Sequence, residues 1–429
     1  MQSLSMAIMS KSKIQVHLLM KKIFILLLSL TALTACHSDD DDEPQKRPTA
    51  RMTVMVYMAA ENNLSSYADY NLNDMVAVST DIPDDCHLVA FVDQAASKPM
   101  PRIEHIANGH RTIDQTFSPQ HDFLTSDTEK FRETLKWMMD HYPAREYALI
   151  LWGHANGWII MDSVANTLNN KQMGYGIDTG DNSLGTQGTW MNIPSMASAL
   201  EQLPRLKYIF ADCCNFQCVE VAYELRNSCD YLIGSPAEIP GEGAPYRKLM
   251  KHFFCSEDSF FVHLADLYNQ QESNGKRPPI SVIYTPALPS LAQATAKAMA
   301  TIKAAGKEVI TNRLIYYTGN DIGADGRVMY DMNHFMLTNL SEANYAAWHE
   351  AYEQTVIRRC FSKRWETMYS DRTWRPLVDF SHFDITPDNY GGMSMFIPLE
   401  RYDRKGLNYN TTIRQMEWWY AAQLDQLFK

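Results

Sequence analysis

The chain has 429 residues, enough for two or three domains or for one large core with an appendage. Apolar residues make up 45% and charged residues 21%, which excludes wholesale disorder. A net charge of −11 without any dense Lys/Arg tract excludes a nucleic-acid partner.

In chain order, residues 1–19 precede a better translation start at Met20 and are set aside. Met20-Lys21-Lys22, the apolar run 23–33 and the small residues before Cys36 read as a secretory signal, too short for a membrane span. Leu33-Thr34-Ala35-Cys36 resembles the lipobox of bacterial lipoproteins, which implies cleavage before Cys36 and acylation of that cysteine. The alternative is an ordinary signal peptide with an incidental Cys36. Residues 36–50 then form a tether, because the five consecutive acids at 39–43 and Pro44 cannot pack. The Ser-Asp run resembles the signal that carries some Gram-negative lipoproteins to the outer cell surface, so an outer-membrane lipoprotein is expected. Removing residues 1–35 takes away four lysines and no acids, leaving 35 basic and 50 acidic residues, a charge of −15. Such acidity is compatible with cationic substrates.

Short, nearly continuous apolar runs at 53–58, 87–92, 147–152, 207–211, 231–234, 280–284 and 393–398 predict strands covered on both faces. Amphipathic helical patterns lie between them at 65–78, 125–141, 193–202 and 219–227. This alternation predicts an α/β fold with a mostly parallel sheet flanked by helices. The core spans 51–285. From 286 to 429 the pattern is helix-rich (288–305, 342–362, 412–428) and is expected to return the strand 393–398 to the core sheet.

Ligands of parallel sheets bind beyond the carboxyl ends of the strands, and two such ends carry chemistry. One reads Leu151-Trp152-Gly153-His154-Ala155-Asn156-Gly157-Trp158, where the glycines allow a sharp exit that leaves His154 at the rim. The other reads Phe210-Ala211-Asp212-Cys213-Cys214-Asn215, with a helix expected over 216–227. A thiol beside the first N–H groups of a helix is favoured as thiolate, and a histidine on another strand end can move its proton.

Four segments together resemble the clostripain family of cysteine peptidases, of the caspase and gingipain clan. They are Val56-Tyr57-Met58-Ala59-Ala60-Glu61-Asn62-Asn63-Leu64, with Glu61 for the usual Asp; the histidine segment 151–158; Phe210–Cys214 continuing to Glu220-Val221-Ala222-Tyr223-Glu224-Leu225; and Ser235-Pro236-Ala237-Glu238-Ile239-Pro240-Gly241. The resemblance covers about residues 52–246, more loosely 391–398. It implies a caspase-like α/β/α sandwich, a Cys-His dyad and cleavage after Arg or Lys.

Counting back from Glu220 places the family's nucleophile on Cys214 and its alanine on Cys213. Strand parity agrees, since residues two apart share a face and Asp212 and Cys214 project together. Cys218 follows one helical turn later. His154 becomes the general acid/base, and the N–H groups of Ala155 and Cys214 the oxyanion donors. Ala155 replaces the usual glycine, which would misaim that donor if the backbone required φ > 0. Asp212 either caps the following helix or, as the family implies, binds the substrate cation. Ser235 and Glu238 either shape that pocket or serve plain loop chemistry. Lys171 lies in a polar, Asn-rich stretch; members of the family are often precursors that cut themselves in this loop, which implies cleavage after Lys171, the alternative being a solvated lysine.

No cofactor is expected. Some relatives use calcium, but no Asp-x-Asp-x-Asp-Gly loop supports it here, and no metal ligands are assigned. The expected function is a surface-anchored cysteine endopeptidase acting on proteins or peptides with Arg or Lys before the cut. The alternative is a catalytically idle relative that binds peptides or proteins, the reading that Ala155 favours.

Overall fold

The structure is a computed structural model that describes residues 49–95, 100–117, 123–160, 174–180, 184–185, 188–255, 257, 259–272, 275–319, 327–366, 378, 380–382, 384–404 and 406–428. The signal segment 1–35, Cys36 with the acidic run after it, and Lys171 lie outside the described residues. Residues Thr49–Lys429 form one compact unit.

The strands are β1 (Ala50–Ala60), β2 (Cys86–Gln94), β3 (Arg102–Ala107), β4 (His110–Thr116), β5 (Ala144–Gly153), β6 (Tyr175–Asp178) and β7 (Thr189–Met191). They continue with β8 (Leu206–Asp212), β9 (Cys229–Gly234), β10 (Ser281–Tyr284), β11 (Tyr316–Gly319), β12 (Arg327–Asp331), β13 (Val356–Arg359) and β14 (Ser394–Phe396). Nine of them make one sheet in the order β13-β10-β9-β8-β5-β1-β2-β3-β4. The five in the middle, β9-β8-β5-β1-β2, are parallel, and each edge adds two antiparallel strands. The expected parallel sheet is therefore its centre, with antiparallel margins.

Alternation of side chains explains why the sheet is buried on both faces. Along β1, Met55, Tyr57 and Ala59 enter one core, whereas Met52, Val54, Val56, Met58 and Ala60 enter the other. The helices Thr128–His141, Ile193–Leu200, Val219–Glu224 and Leu288–Ala305 pack on the first face; Ser65–Ala77, Tyr246–Phe253 and Phe260–Asn269 cover the second. Each fully buried Val, Ile or Phe contributes roughly 1.5–3 kcal/mol, and a one-residue slip would turn every one of them to the wrong core.

Three expectations need correction. The segment 393–398 does not join the large sheet; β14 pairs with β12 in a separate three-stranded sheet, β11-β12-β14. The strand that this part of the chain adds to the large sheet is β13, which had been read as the end of a helix. The helix expected over 216–227 is shorter, beginning at Val219 and closing in a 3-10 turn at Asn227.

Candidate functional site

β5 and β8 are neighbours in register, with Trp152 opposite Asp212, so their carboxyl ends deliver His154 and Cys214 to the same rim. Gly153 makes the turn out of β5 at φ 140°, where a Cβ would lie 2.9 Å from the Ala59 carbonyl oxygen. Only glycine fits there. On both strands the parity matches: Ala148, Ile150 and Trp152 share the face of Tyr208 and Phe210, and His154, Asp212 and Cys214 continue that face outward. Cys213 and Cys218 are fully buried in the opposite core, which leaves Cys214 as the cysteine of this cluster that meets the pocket.

His154, Cys214 and Asp212 line one pocket, walled by Leu64, Trp152 and Gly153 and by Ile239, Pro240, Gly241 and Gly243 from the loop after β9. His154 Nε2 lies 2.7 Å from Asn63 Oδ1. With the amide oxygen accepting, the ring carries its proton on Nε2 and keeps Nδ1 as the basic nitrogen. Asn63 is held in turn: Asn62 donates to the carbonyls of Ala59 and Ile177 and accepts from Leu64 N–H, and the Asn63 N–H donates to Gly185. Trp190 on β7 stands beside the imidazole, with ring centroids 6.4 Å apart.

Desolvation governs the ionisation of the pair. It lowers the His154 pKa to about 4. For Cys214, burial and then the charge of Glu238 push the thiol up to about 12, against a hydrogen bond from the Ile239 N–H. Both groups are neutral around pH 7. This corrects the expectation of a helix-stabilised thiolate: the helix begins at Val219, five residues after Cys214, too far for its terminal N–H groups to act.

The backbone at Ala155 is set by its pairing with β6. Ala155 pairs with Tyr175 as an isolated bridge in which Gly176 N–H bonds the His154 carbonyl and Asn156 N–H bonds the Gly174 carbonyl. In that pattern the N–H of Ala155 itself points away from β6. The described non-glycine residues with positive φ are Asn108, Leu124, Asn215 and Gln423, so alanine at 155 brings no strain. The Gly-to-Ala departure therefore does not argue against activity.

Asp212 is buried and does not cap the helix after it, whose N-cap is Cys218. Its Oδ2 accepts from Ala244 N–H at 3.0 Å and Tyr246 OH at 2.8 Å, and its Oδ1 from Tyr268 OH at 2.8 Å. Burial raises its pKa, and these three donors oppose the shift. Ser235 does not reach the pocket. It is fully buried, and its hydroxyl accepts from Ala237 N–H within its own loop. Glu238 does not line the wall either, acting on Cys214 through its charge. Asn63 has no role in the sequence motif above, although its place just beyond β1 is a signal for one. Tyr246 and Tyr268 come from 34 and 56 residues away and left none.

Among the described residues, one group could hold a cation. Glu61, Asp93 and Asp178 are buried, with an oxygen of each within 4.8 Å of the others. Asp178 already accepts from Thr125 N–H and hydroxyl and from Gly180 N–H.

The sequence model of the clostripain family matches residues 56–370. The chain belongs to the clostripain family. It is similar to a secreted C11 cysteine protease from Bacteroides thetaiotaomicron, solved with an irreversible peptide inhibitor. That likeness has 26% identity and a TM-score of 0.69, over 88% of this chain and 99% of the other. An inactive zymogen C11 protease from Parabacteroides distasonis shares the fold at 23% identity and TM-score 0.68, over 89% and 99%. So does a second secreted C11 cysteine protease from Bacteroides thetaiotaomicron, iotapain, at 19% and 0.64, over 87% and 99%. No curated protein matches the chain. As a clostripain-family member, the protein is a cysteine peptidase with a caspase-like fold acting on proteins or peptides. No helix among the described residues is long and apolar enough to cross a membrane.

Proposed function

We propose that the protein is an endopeptidase that cleaves after Arg or Lys, with Cys214 as nucleophile and His154 as general acid/base. The observation that carries this reading is one pocket lined by a thiol, an imidazole and a buried carboxylate. Cys214 Sγ attacks the substrate carbonyl while His154 Nδ1 takes the thiol proton. The N–H groups of Cys214 and Ala155 receive the developing oxyanion. His154 then returns its proton to the departing amine, leaving an acyl-enzyme on Cys214. A water that gives a proton to His154 attacks that thioester, the acyl–sulfur bond breaks to release the carboxylic acid, and His154 returns the proton to the departing Cys214 sulfur. Asp212 receives the cationic side chain before the cut, where a buried carboxylate gives a stronger interaction than one in water. No step needs a metal or cofactor.

Mature protein is further proposed to begin at an acylated Cys36, to be displayed on the outer cell surface, and to cut itself after Lys171. The lipobox-like Leu33-Thr34-Ala35-Cys36, the acidic run and the position of Lys171 between the histidine and cysteine segments support this.

A fluorogenic peptide with Lys or Arg before the reporter tests the chemistry. Cys214→Ala and His154→Ala are each expected to lose about 10³-fold or more in kcat, with Cys213→Ala close to the parent. Turnover that survives Cys214→Ala overturns the assignment.

A further inference from the structure

We propose that the pocket selects lysine over arginine, because its own residues already occupy three of the four acceptor positions on the Asp212 carboxylate. The inference rests on the reading that Asp212 receives the substrate cation. A carboxylate offers about two lone pairs on each oxygen. Oδ2 uses both, one for Ala244 N–H and one for Tyr246 OH. Oδ1 uses one, for Tyr268 OH, and keeps one.

The two basic side chains ask different things of that remainder. A guanidinium binds a carboxylate through two parallel N–H groups, one to each oxygen. Here its second arm meets a saturated Oδ2 and goes unpaired in a desolvated pocket. An ammonium is a compact charge that needs a single point, and the free position on Oδ1 supplies it. The carboxylate is held against turning to offer both oxygens, because Ala244 N–H and Tyr246 OH bond Oδ2 while Tyr268 OH bonds Oδ1. The walls are fixed too: Trp152 Nε1 donates to Asn71 Oδ1 at 2.8 Å, and Asn71 Nδ2 donates to the Glu242 carbonyl at 3.0 Å. Tyr246 and Tyr268 are thus positioning residues that set which cation the carboxylate can match.

The test is kcat/KM on three peptides identical except for Lys, Arg or norleucine before the cut, with the parent, Tyr246→Phe and Tyr268→Phe. For the parent, Lys should exceed Arg by about tenfold, the scale of one unmade charge-assisted bond. Tyr246→Phe frees a position on Oδ2, so the fork finds one site on each oxygen and the Lys/Arg ratio falls several-fold. Tyr268→Phe frees a second position on Oδ1, where one was already open, and leaves the ratio near the parent's. Arg equal to or better than Lys in the parent overturns the inference while leaving Asp212 as the cation site. Norleucine equal to both overturns that underlying reading instead. Should either variant fail to fold, peptide aldehydes ending in lysinal and argininal give the same comparison as inhibition constants on the parent. Tighter binding of the lysinal supports the inference, and equal or weaker binding overturns it.

Discussion

At the scale of single residues, Cys214 and His154 meet as neutral partners. Desolvation drives the thiol up to about 12 and the imidazole down to about 4, so neither charge is present before substrate arrives. The histidine therefore acts as a base during attack, with no thiolate held in store. This makes the free thiol a slow nucleophile. Inactivation by iodoacetamide should be slow at about pH 7 and keep rising past about pH 9, without the early plateau of a stored thiolate. A rate already flat from about pH 6 upward would show an ion pair and contradict the electrostatics. Cys213, sealed in the opposite core, contributes nothing to that profile.

Between elements, buried acids tie the helices to the sheets. Glu220, in the helix Val219–Glu224, accepts from the Phe396 N–H of β14 at 2.8 Å. Burial pushes its pKa up to about 7 from an ordinary 4.5. A carboxyl raised in the folded state stabilises below its unfolded pKa, and the contribution is lost as pH rises through the folded value. Melting curves should therefore show Glu220→Gln gaining on the parent by a few degrees at about pH 8 relative to about pH 5. An offset equal at both pH values would mean that Glu220 does not titrate in this window. The elements themselves were legible unevenly. All seven apolar runs became strands, because burial on both faces writes a continuous signal. The hairpin β3–β4 was invisible, since the charged Arg102 and Glu104 pair inside it and β4 lies largely in water. β13 was read as helix because Val356 and Ile357 extend the apolar spacing of Glu342–Thr355; the β-branched run Thr355-Val356-Ile357 was the overlooked sign. In the site, strand ends marked the segments that carry His154, Asp212 and Cys214, while the family resemblance, with which strand parity agrees, singled out Cys214 and implied the role of Asp212. The donors on Asp212 depend on folds of the chain that no local pattern encodes.

For the molecule as a whole, a cut after Lys171 would fall between strands that remain paired. β1, β2 and β5 precede it, β8 and β9 follow it, and β5 bonds β8 from Ala148 opposite Tyr208 to Trp152 opposite Asp212. The described cysteines are free, so pairing and packing alone would hold the halves together. Mature active protein should run as two pieces, 36–171 and 172–429, under denaturing conditions and as one particle under native ones. Its smaller piece should carry lipid mass on Cys36. An active enzyme that shows one intact chain removes self-cutting, and an unmodified Cys36 removes the anchor. Asp212, finally, closes β8, and Cys214 follows it by two positions, opening on the same pocket. Any insertion or deletion that shifted this strand's phase would swing both inward and bring Cys213 to the opening, with no acid as its companion. Selector and warhead are therefore inherited as one unit: neither can drift along the chain without dragging the other.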